Sequence, residues 1–201
     1  MAREIEAKIK VDGFDRLRDR LDRLGAAYEG EGLERNWILD DPQGRLHAGG
    51  TLLRVRNNGD AGAILTVKRK IEGSEFKTRE EVESMVDSTE DLLRQLELVG
   101  FHIVWIYEKY RQTWLWRDCI VTLDELPEIG CYVEIEGAPD MIRAAASELG
   151  LDVGAHIDDN YLGLWQKHLA ARGEKTRNMV FPPETVKKRK VTEVYRKREV
   201  E

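Results

Sequence analysis

The sequence predicts an α+β fold: an eight-stranded antiparallel β-barrel, closed or nearly closed, with flanking helices and two pseudo-repeated halves. Three observations carry this expectation. Strand-length segments alternate charged and apolar residues again and again, beginning with Glu4-Ile5-Glu6-Ala7-Lys8-Ile9-Lys10-Val11. Helical stretches with apolar stripes stand between some of them. A unit of strand, helix and three strands also occurs twice, because Glu4-x-Glu6, a cap, a helix and Gly25 reappear as Glu81-x-Glu83, Ser88, a helix and Gly100.

Successive side chains on a strand point to opposite faces. Glu4, Glu6, Lys8 and Lys10 therefore share one face of the first strand, and Ile5, Ala7, Ile9 and Val11 the other. A helix follows, with Asp12 as the expected N-cap, Phe14, Leu17, Leu21 and Leu24 at helical spacing, and Gly25 at its end. The second strand is read over Leu33 to Asp40, before a turn at Asp41-Pro42-Gln43-Gly44 and a break at Gly49-Gly50. Leu52 to Arg56 is the third strand, with Arg54 and Arg56 in phase. Residues 57–62 read as a hairpin connection to Ile64–Lys68, where Thr66 and Lys68 are in phase. Arg79 to Glu83 aligns Arg79, Glu81 and Glu83.

The second helix carries Leu92, Leu96 and Val99, with Ser88 and Asp91 as a variant capping box and Gly100 at its end. Three more strands follow. Tyr107 to Trp116 places Lys109 and Arg111 together, Ile120 to Asp124 places Thr122 and Asp124 together, and Cys131 to Glu136 places Glu134 and Glu136 together. Helices are expected at Pro139–Leu149 and Asp158–Leu169.

Composition bounds the rest. Of 201 residues, 41% are apolar and 35% charged, the latter above the ~25% of ordinary globular chains. The net charge of −6 gives no global sign of nucleic-acid binding. No run reaches the roughly 18 apolar residues of a membrane helix, and Met1-Ala2-Arg3-Glu4 is not the start of a signal peptide. Cys119 and Cys131, without metal-type spacing, suggest free thiols in a reducing cytoplasm. Residues 1–171 are read as one domain and 172–201 as an extension with the basic clusters Lys187-Lys188-Arg189-Lys190 and Arg196-Lys197-Arg198. The extension is expected to be solvated; a cap on the tunnel, a partner contact or a nucleic-acid contact is the second reading. A homodimer is the commonest assembly for such a chain.

Helices with apolar stripes must cover the apolar side of the strands, which turns the charged side inward. That interior then holds the acids Glu4, Glu6, Glu81, Glu83, Asp124, Glu134 and Glu136 and the bases Lys8, Arg54, Arg56, Lys68, Arg79, Lys109 and Arg111. Two like charges about 5 Å apart repel by roughly 3 kcal/mol at an effective dielectric of 20, so this is no dry core. Carboxylates are hard donors suited to Mg²⁺ or Mn²⁺, and Arg and Lys are phosphate binders. Together they describe a site for a divalent metal and a polyphosphate.

The same residues resemble a known family. Glu4-x-Glu6-x-Lys8 resembles the ExExK signature of the CYTH superfamily, or triphosphate tunnel metalloenzymes. Leu53-Arg54-Val55-Arg56, Thr66-Val67-Lys68, Arg79-x-Glu81-x-Glu83, Glu108-Lys109-Tyr110-Arg111, Leu123-Asp124 and Val133-Glu134-Ile135-Glu136 follow in the family's order, and Asn160-Tyr161 is similar to its C-terminal helix. The resemblance implies a tunnel that binds a triphosphate-containing small molecule with Mg²⁺ or Mn²⁺. By it, Glu4, Glu6, Asp124, Glu134 and Glu136 are metal-side acids. Lys8, Arg54, Arg56, Lys68, Arg79, Lys109 and Arg111 bind phosphates. Glu81 and Glu83 are either metal-side or part of an ion-pair lattice, which Arg79 would share. Glu4, Glu6 and Lys8 are the expected catalytic residues, with Lys8 a candidate base if Arg and Lys neighbours lower its pKa.

The reaction implied is two-metal-assisted phosphoryl transfer. A triphosphatase acting on inorganic, nucleoside or organic triphosphate is the expectation, because the leader with a His-Phe pair associated with the class IV adenylyl cyclases is not in the three residues before Glu4. The alternatives are such a cyclase, making cyclic AMP and pyrophosphate, and a polyphosphate- or nucleotide-binding protein without turnover. Charged inner faces speak against an apolar-ligand barrel. Trp37 is left open between packing and the tunnel mouth, while Trp105, Trp114, Trp116 and Trp165 are read as packing residues.

Overall fold

The computed structural model describes residues 2–57 and 62–186. Its elements are β1 (Ala2–Val11), α1 (Asp15–Arg23), β2 (Ala27–Asp40), α2 (Arg45–Ala48), β3 (Thr51–Asn57), β4 (Ala63–Ile71), β5 (Lys77–Val86), α3 (Thr89–Leu98), β6 (His102–Trp116), β7 (Cys119–Leu126), β8 (Gly130–Glu136), α4 (Pro139–Leu149), α5 (Tyr161–Ala171) and α6 (Pro183–Val186), with a 3-10 turn at Val153–Ala155. The eight strands close into a barrel in the order β1-β5-β4-β3-β2-β6-β7-β8. Every pairing is antiparallel.

The sequence repeat is a symmetry of this ring. Exchanging β1–β4 with β5–β8 returns the same order. At the seam Glu4 pairs with Arg79 and Ala2 with Glu81, so exchanging Glu4 for Glu81 and Arg79 for Ala2 leaves the register unchanged. The chemistry is not symmetric, because the partner of Lys8 under this exchange is Met85.

Helices cover the apolar outer faces as amphipathicity requires. Leu17 and Leu21 of α1 and Ile142, Ala145 and Leu149 of α4 pack on Ala7, Val121, Leu123, Val133 and Ile135. Burying a side chain such as Leu21 or Ile142 contributes about 1.5–3 kcal/mol. Leu92 of α3 packs on Leu39, Leu53 and Val55. α5 differs: its Tyr161, Trp165 and Leu169 pack with Ile38, Trp105 and Tyr107, which line the cavity inside the barrel.

Several boundaries differ from expectation. β2 begins at Ala27 and β6 at His102, because the two strands pair from Ala27–Leu115 to Asp40–His102. Their first residues lack a clean apolar alternation, and Gly30 (φ 129°) sits at a register shift. Asp12 does not cap α1; Phe14 holds that position without a side-chain bond, while Asp15 in the first turn and Arg20 and Arg23 in the last suit the helix dipole. Ser88 caps α3 as expected, accepting from the Asp91 N–H. α5 begins at Tyr161, capped by Asn160, which accepts from the Gly163 N–H. The unanticipated α2 is held by Asp40, whose carboxylate accepts from the N–H groups of Asp41, Leu46 and His47.

The packed chain continues beyond residue 171. The Met179 N–H donates to the Ile106 carbonyl, and the Glu108 N–H donates to the Met179 carbonyl. Met179 is fully buried, and the Phe181 N–H donates to the Glu108 carboxylate. This segment thus forms an isolated parallel bridge to β6 between Met179 and Tyr107. The basic clusters at 187–190 and 196–198, and positions 58–61 of the expected hairpin connection, lie outside the described residues. Cys119 and Cys131 form no disulfide among the described residues. Among the described residues no helix is long and apolar enough to cross a membrane.

Candidate functional site

The inner faces enclose a cavity of about 1570 Å³. Strand alternation delivers Glu4, Glu6, Lys8, Arg54, Arg56, Lys68, Arg79, Glu81, Glu83, Lys109, Arg111, Glu134 and Glu136 to its wall. Asp124 is the exception. It lies fully buried behind the wall and accepts from Lys109 Nζ at 3.1 Å, Arg111 Nε at 2.6 Å and the Tyr161 hydroxyl at 2.7 Å. Asp124 holds these cations in place, and through Arg111 it is joined to Glu134 on the wall.

Ion pairs run around the wall. Lys68 Nζ sits 2.6 Å from Glu4 and 2.9 Å from Glu81. Lys77 pairs with Glu6. Lys8 Nζ lies 3.2 Å from Glu134 and donates to the Asp159 carbonyl at 3.1 Å, with the Tyr161 ring 4.5 Å away. Arg111 bridges Asp124 and Glu134. Arg54 donates to Thr66 and to Glu83. The pairs of Lys68 with Glu81 and Arg54 with Glu83 support the lattice reading for these two acids.

Four polar groups lay outside the expectation for the site: Lys77 and Tyr161 line the cavity, and Glu34 and Asn36 are buried against Arg56. Glu34 sits 3.5 Å from Arg56 and 3.4 Å from Lys109. Burial raises its pKa, but Arg56 and Lys109, with Arg111 and Arg54, outweigh that and hold it well below the usual carboxylate range. Asn36 accepts from Arg56 Nε. Glu34 and Asn36 are in phase on the expected second strand, so its alternation was a usable signal. Lys77 lies just before the expected fifth strand, in phase with Arg79. Burial, with Lys8 and Arg79 adding to it, pushes its amine down to about 8 despite Glu6. Tyr161 comes from a helix, and no strand pattern announces it.

The expected lowering of the Lys8 pKa is corrected. Burial works in that direction, but Glu134 and Glu6 outweigh it and raise the ammonium above its ordinary value. Its neighbours are carboxylates, so Lys8 is a fixed cation. Trp37 packs outside the barrel, and Trp105, read as a packing residue, lines the cavity.

The wall also holds groups left unmet. Among the described residues, buried Arg54 Nε and Arg79 Nε have no hydrogen-bond partner. Such orphaned donors are rare in folded proteins, and these suit an anion with many acceptor oxygens. Glu136, also on the wall, makes no ion pair among the described residues, and its pKa rises to about 7, first through burial and then through Glu4, Glu81 and Glu6. That is a surplus of negative charge. Hard oxygen donors in such a surplus fit Mg²⁺ or Mn²⁺, although among the described residues no three carboxylate, imidazole or thiol groups form a closed ligand set.

The Glu136 shift has a sign that can be measured. The folded chain holds this proton more tightly than the unfolded one, so stability falls as pH rises from about 4.5 to about 7 and then levels. The change is on the order of 2 kcal/mol, allowing for partial solvent screening. In urea titrations with chelator, Glu136→Gln is expected to lack this fall. Parallel curves for the two proteins would contradict the assignment of the shift.

Comparison with known proteins now adds to the geometry. A family model described as the CYTH domain matches residues 2–148. A protein of Methanocaldococcus jannaschii, provisionally named an adenylate cyclase, is 23% identical over 133 residues, covering 66% of this chain and 75% of its own. A Vibrio parahaemolyticus structure, also provisionally named an adenylate cyclase, superposes with TM-score 0.70 at 21% identity, covering 81% of this chain and 97% of its own. A Hippeastrum structure superposes with TM-score 0.59 at 18% identity, covering 88% and 98%.

Proposed function

Because this chain belongs to the CYTH domain family, whose members are enzymes of triphosphatase or adenylyl cyclase type, we propose that it is a metal-dependent triphosphatase. The observation that carries this reading is the mixed wall: orphaned Arg54 and Arg79 donors together with Glu136 in a surplus of acids. The Hippeastrum neighbour, named as an adenylyl cyclase, is described as having a dominant triphosphatase activity, which supports the same choice.

Arg54, Arg56, Lys68, Arg79, Lys109 and Arg111 bind the phosphate chain and neutralise charge on its oxygens. Asp124 and Glu34 hold Lys109 and Arg111, or Lys109 and Arg56, so that little reorganisation is needed on binding. Lys8, kept charged by Glu134, adds a further cation. Glu4, Glu6 and Glu136, with Glu134 beside them, would hold Mg²⁺ or Mn²⁺. Such an ion polarises phosphoryl oxygens and acidifies water.

A cyclase reading keeps the same wall but needs the ribose 3′-hydroxyl placed at the α-phosphate; the name of the Methanocaldococcus relative favours it. Product analysis separates the two. Purified protein with Mg²⁺ or Mn²⁺ receives inorganic triphosphate, ATP or thiamine triphosphate, and orthophosphate, pyrophosphate and cyclic AMP are measured. Orthophosphate release is expected. Pyrophosphate with cyclic AMP would overturn the proposal, and tight binding without any product would leave a binding protein. Arg56→Ala is expected to raise KM by roughly 10- to 100-fold, the worth of one or two charged hydrogen bonds, with a smaller change in kcat.

A further inference from the structure

The two longest strands of the barrel are not paired along both edges. β2 pairs with β6 over its whole length, from Ala27–Leu115 to Asp40–His102, but with β3 only from Asn36 to Leu39. β6 in turn pairs with β7 only from Tyr110 to Trp116. Each therefore has a stretch free of strand partners on one edge, 27–35 in β2 and 102–109 in β6, and the two lie at opposite ends of the β2–β6 pair. The stretch in β6 is covered. The Ile106 N–H donates to the Asn178 side chain, the Met179 N–H to the Ile106 carbonyl and the Glu108 N–H to the Met179 carbonyl. No described residue does the same for 27–35.

An open edge offers a row of N–H and C=O groups to an extended chain. Ala27, Tyr28 and Glu29 are exposed, and Glu29 also lines the cavity, so this edge borders the tunnel. The edge is acidic. Glu29 and Glu31 make no ion pair among the described residues, and Glu31 accepts from the neutral Gln112 amide at 2.7 Å. The end of the chain has the complementary chemistry. The basic clusters Lys187-Lys188-Arg189-Lys190 and Arg196-Lys197-Arg198 flank Val191-Thr192-Glu193-Val194-Tyr195, in which Val, Thr and Tyr are strand formers. It also starts in the right place. Phe181 is anchored on Glu108, and Glu108 is the register partner of Arg35 at the end of the open edge. The edge from Ala27 to Arg35 spans about 27 Å, and the chain after Val186 reaches up to about 50 Å when extended.

We infer that the open edge of β2 is a docking site for the chain's own end: residues 191–195 add to 27–35 as a further strand, with the flanking Lys and Arg clusters against Glu29 and Glu31. The added strand completes the wall at one end of the β2–β6 pair, as Met179 covers β6 at the other. This contact is independent of which reaction the cavity performs.

Hydrogen exchange on the full chain tests this. In the wild type, the amides of 27–35 that point away from β6 are expected to exchange at least about tenfold more slowly than in the double variant Val191→Pro/Val194→Pro, because proline cannot donate to a strand ladder. The protection is expected to be independent of protein concentration. Unchanged exchange at the amides that β2 and β6 bond to each other shows that the variant is folded. Glu29→Lys/Glu31→Lys is expected to lose the same protection, and so is the wild type when NaCl rises from about 0.05 to about 0.5 M, because salt screens exposed charges. Equal exchange at 27–35 in the wild type and the proline variant overturns the inference. Protection that grows with protein concentration also overturns it, because a second copy would then be the occupant of the edge.

Discussion

Asp124→Ala is expected to lower unfolding stability by about 3–5 kcal/mol, the cost of removing one partner from a buried ion pair. Asp124 is fully buried and holds Lys109, Arg111 and the Tyr161 hydroxyl at once. Without it, Lys109 keeps Glu34 and Arg111 keeps Glu134, but both cations stay buried with less negative charge around them. Burial alone lowers the Arg111 pKa, and Asp124 is the foremost of the charges that more than reverse this. Tyr161→Phe, which removes a single hydrogen bond, is expected to cost only about 1 kcal/mol. Urea denaturation measures both. A loss below about 1 kcal/mol for Asp124→Ala would mean that Asp124 does not organise this wall.

Glu4→Gln is expected to leave the fold intact and to lower metal-dependent kcat by roughly 10²–10³-fold, the scale of losing one preorganised charged group at a reacting phosphoryl. The fold survives because Lys68, the ion-pair partner of Glu4, still has Glu81 at 2.9 Å. Glutamine keeps the shape and removes the negative charge that a divalent ion needs. Orthophosphate release is followed against Mg²⁺ or Mn²⁺ concentration. Full activity at the wild-type metal dependence would remove Glu4 from the metal-side acids.

Much of this architecture was legible in the chain. Alternation placed Glu4, Glu6 and Lys8 on one face, and the pairs Arg54/Arg56, Glu81/Glu83 and Glu134/Glu136 on others, and all of them line the cavity. The repeat of Glu4-x-Glu6 as Glu81-x-Glu83 was legible too, and it is a symmetry of the β1–β5 register. Glu34 and Asn36 had the same phase signal. A single Glu and a neutral Asn on a strand carry no motif of their own, so phase alone does not mark them as site residues.

Other features were not legible, because they depend on partners far apart in sequence. Side-chain phase tells which face a residue is on but not which charge stands opposite. Asp124 has the phase of a cavity residue, yet Lys109, Arg111 and Tyr161 of a distant helix enclose it. Lys8 follows two glutamates in a motif, and only the β1–β8 pairing puts Glu134 beside it and keeps it protonated.

The sequence by itself therefore determined the fold class, the inward face of each strand and most of the acids and bases in the interior, though not Glu34 or Lys77. Period-2 alternation and apolar helix stripes leave one arrangement that covers the apolar surface. The tertiary structure alone decided which charges cancel and which remain unmet. That outcome follows from strand register and barrel closure: Coulomb energy depends on distance in space, and residues such as Lys68 and Glu4 meet only when the ring closes.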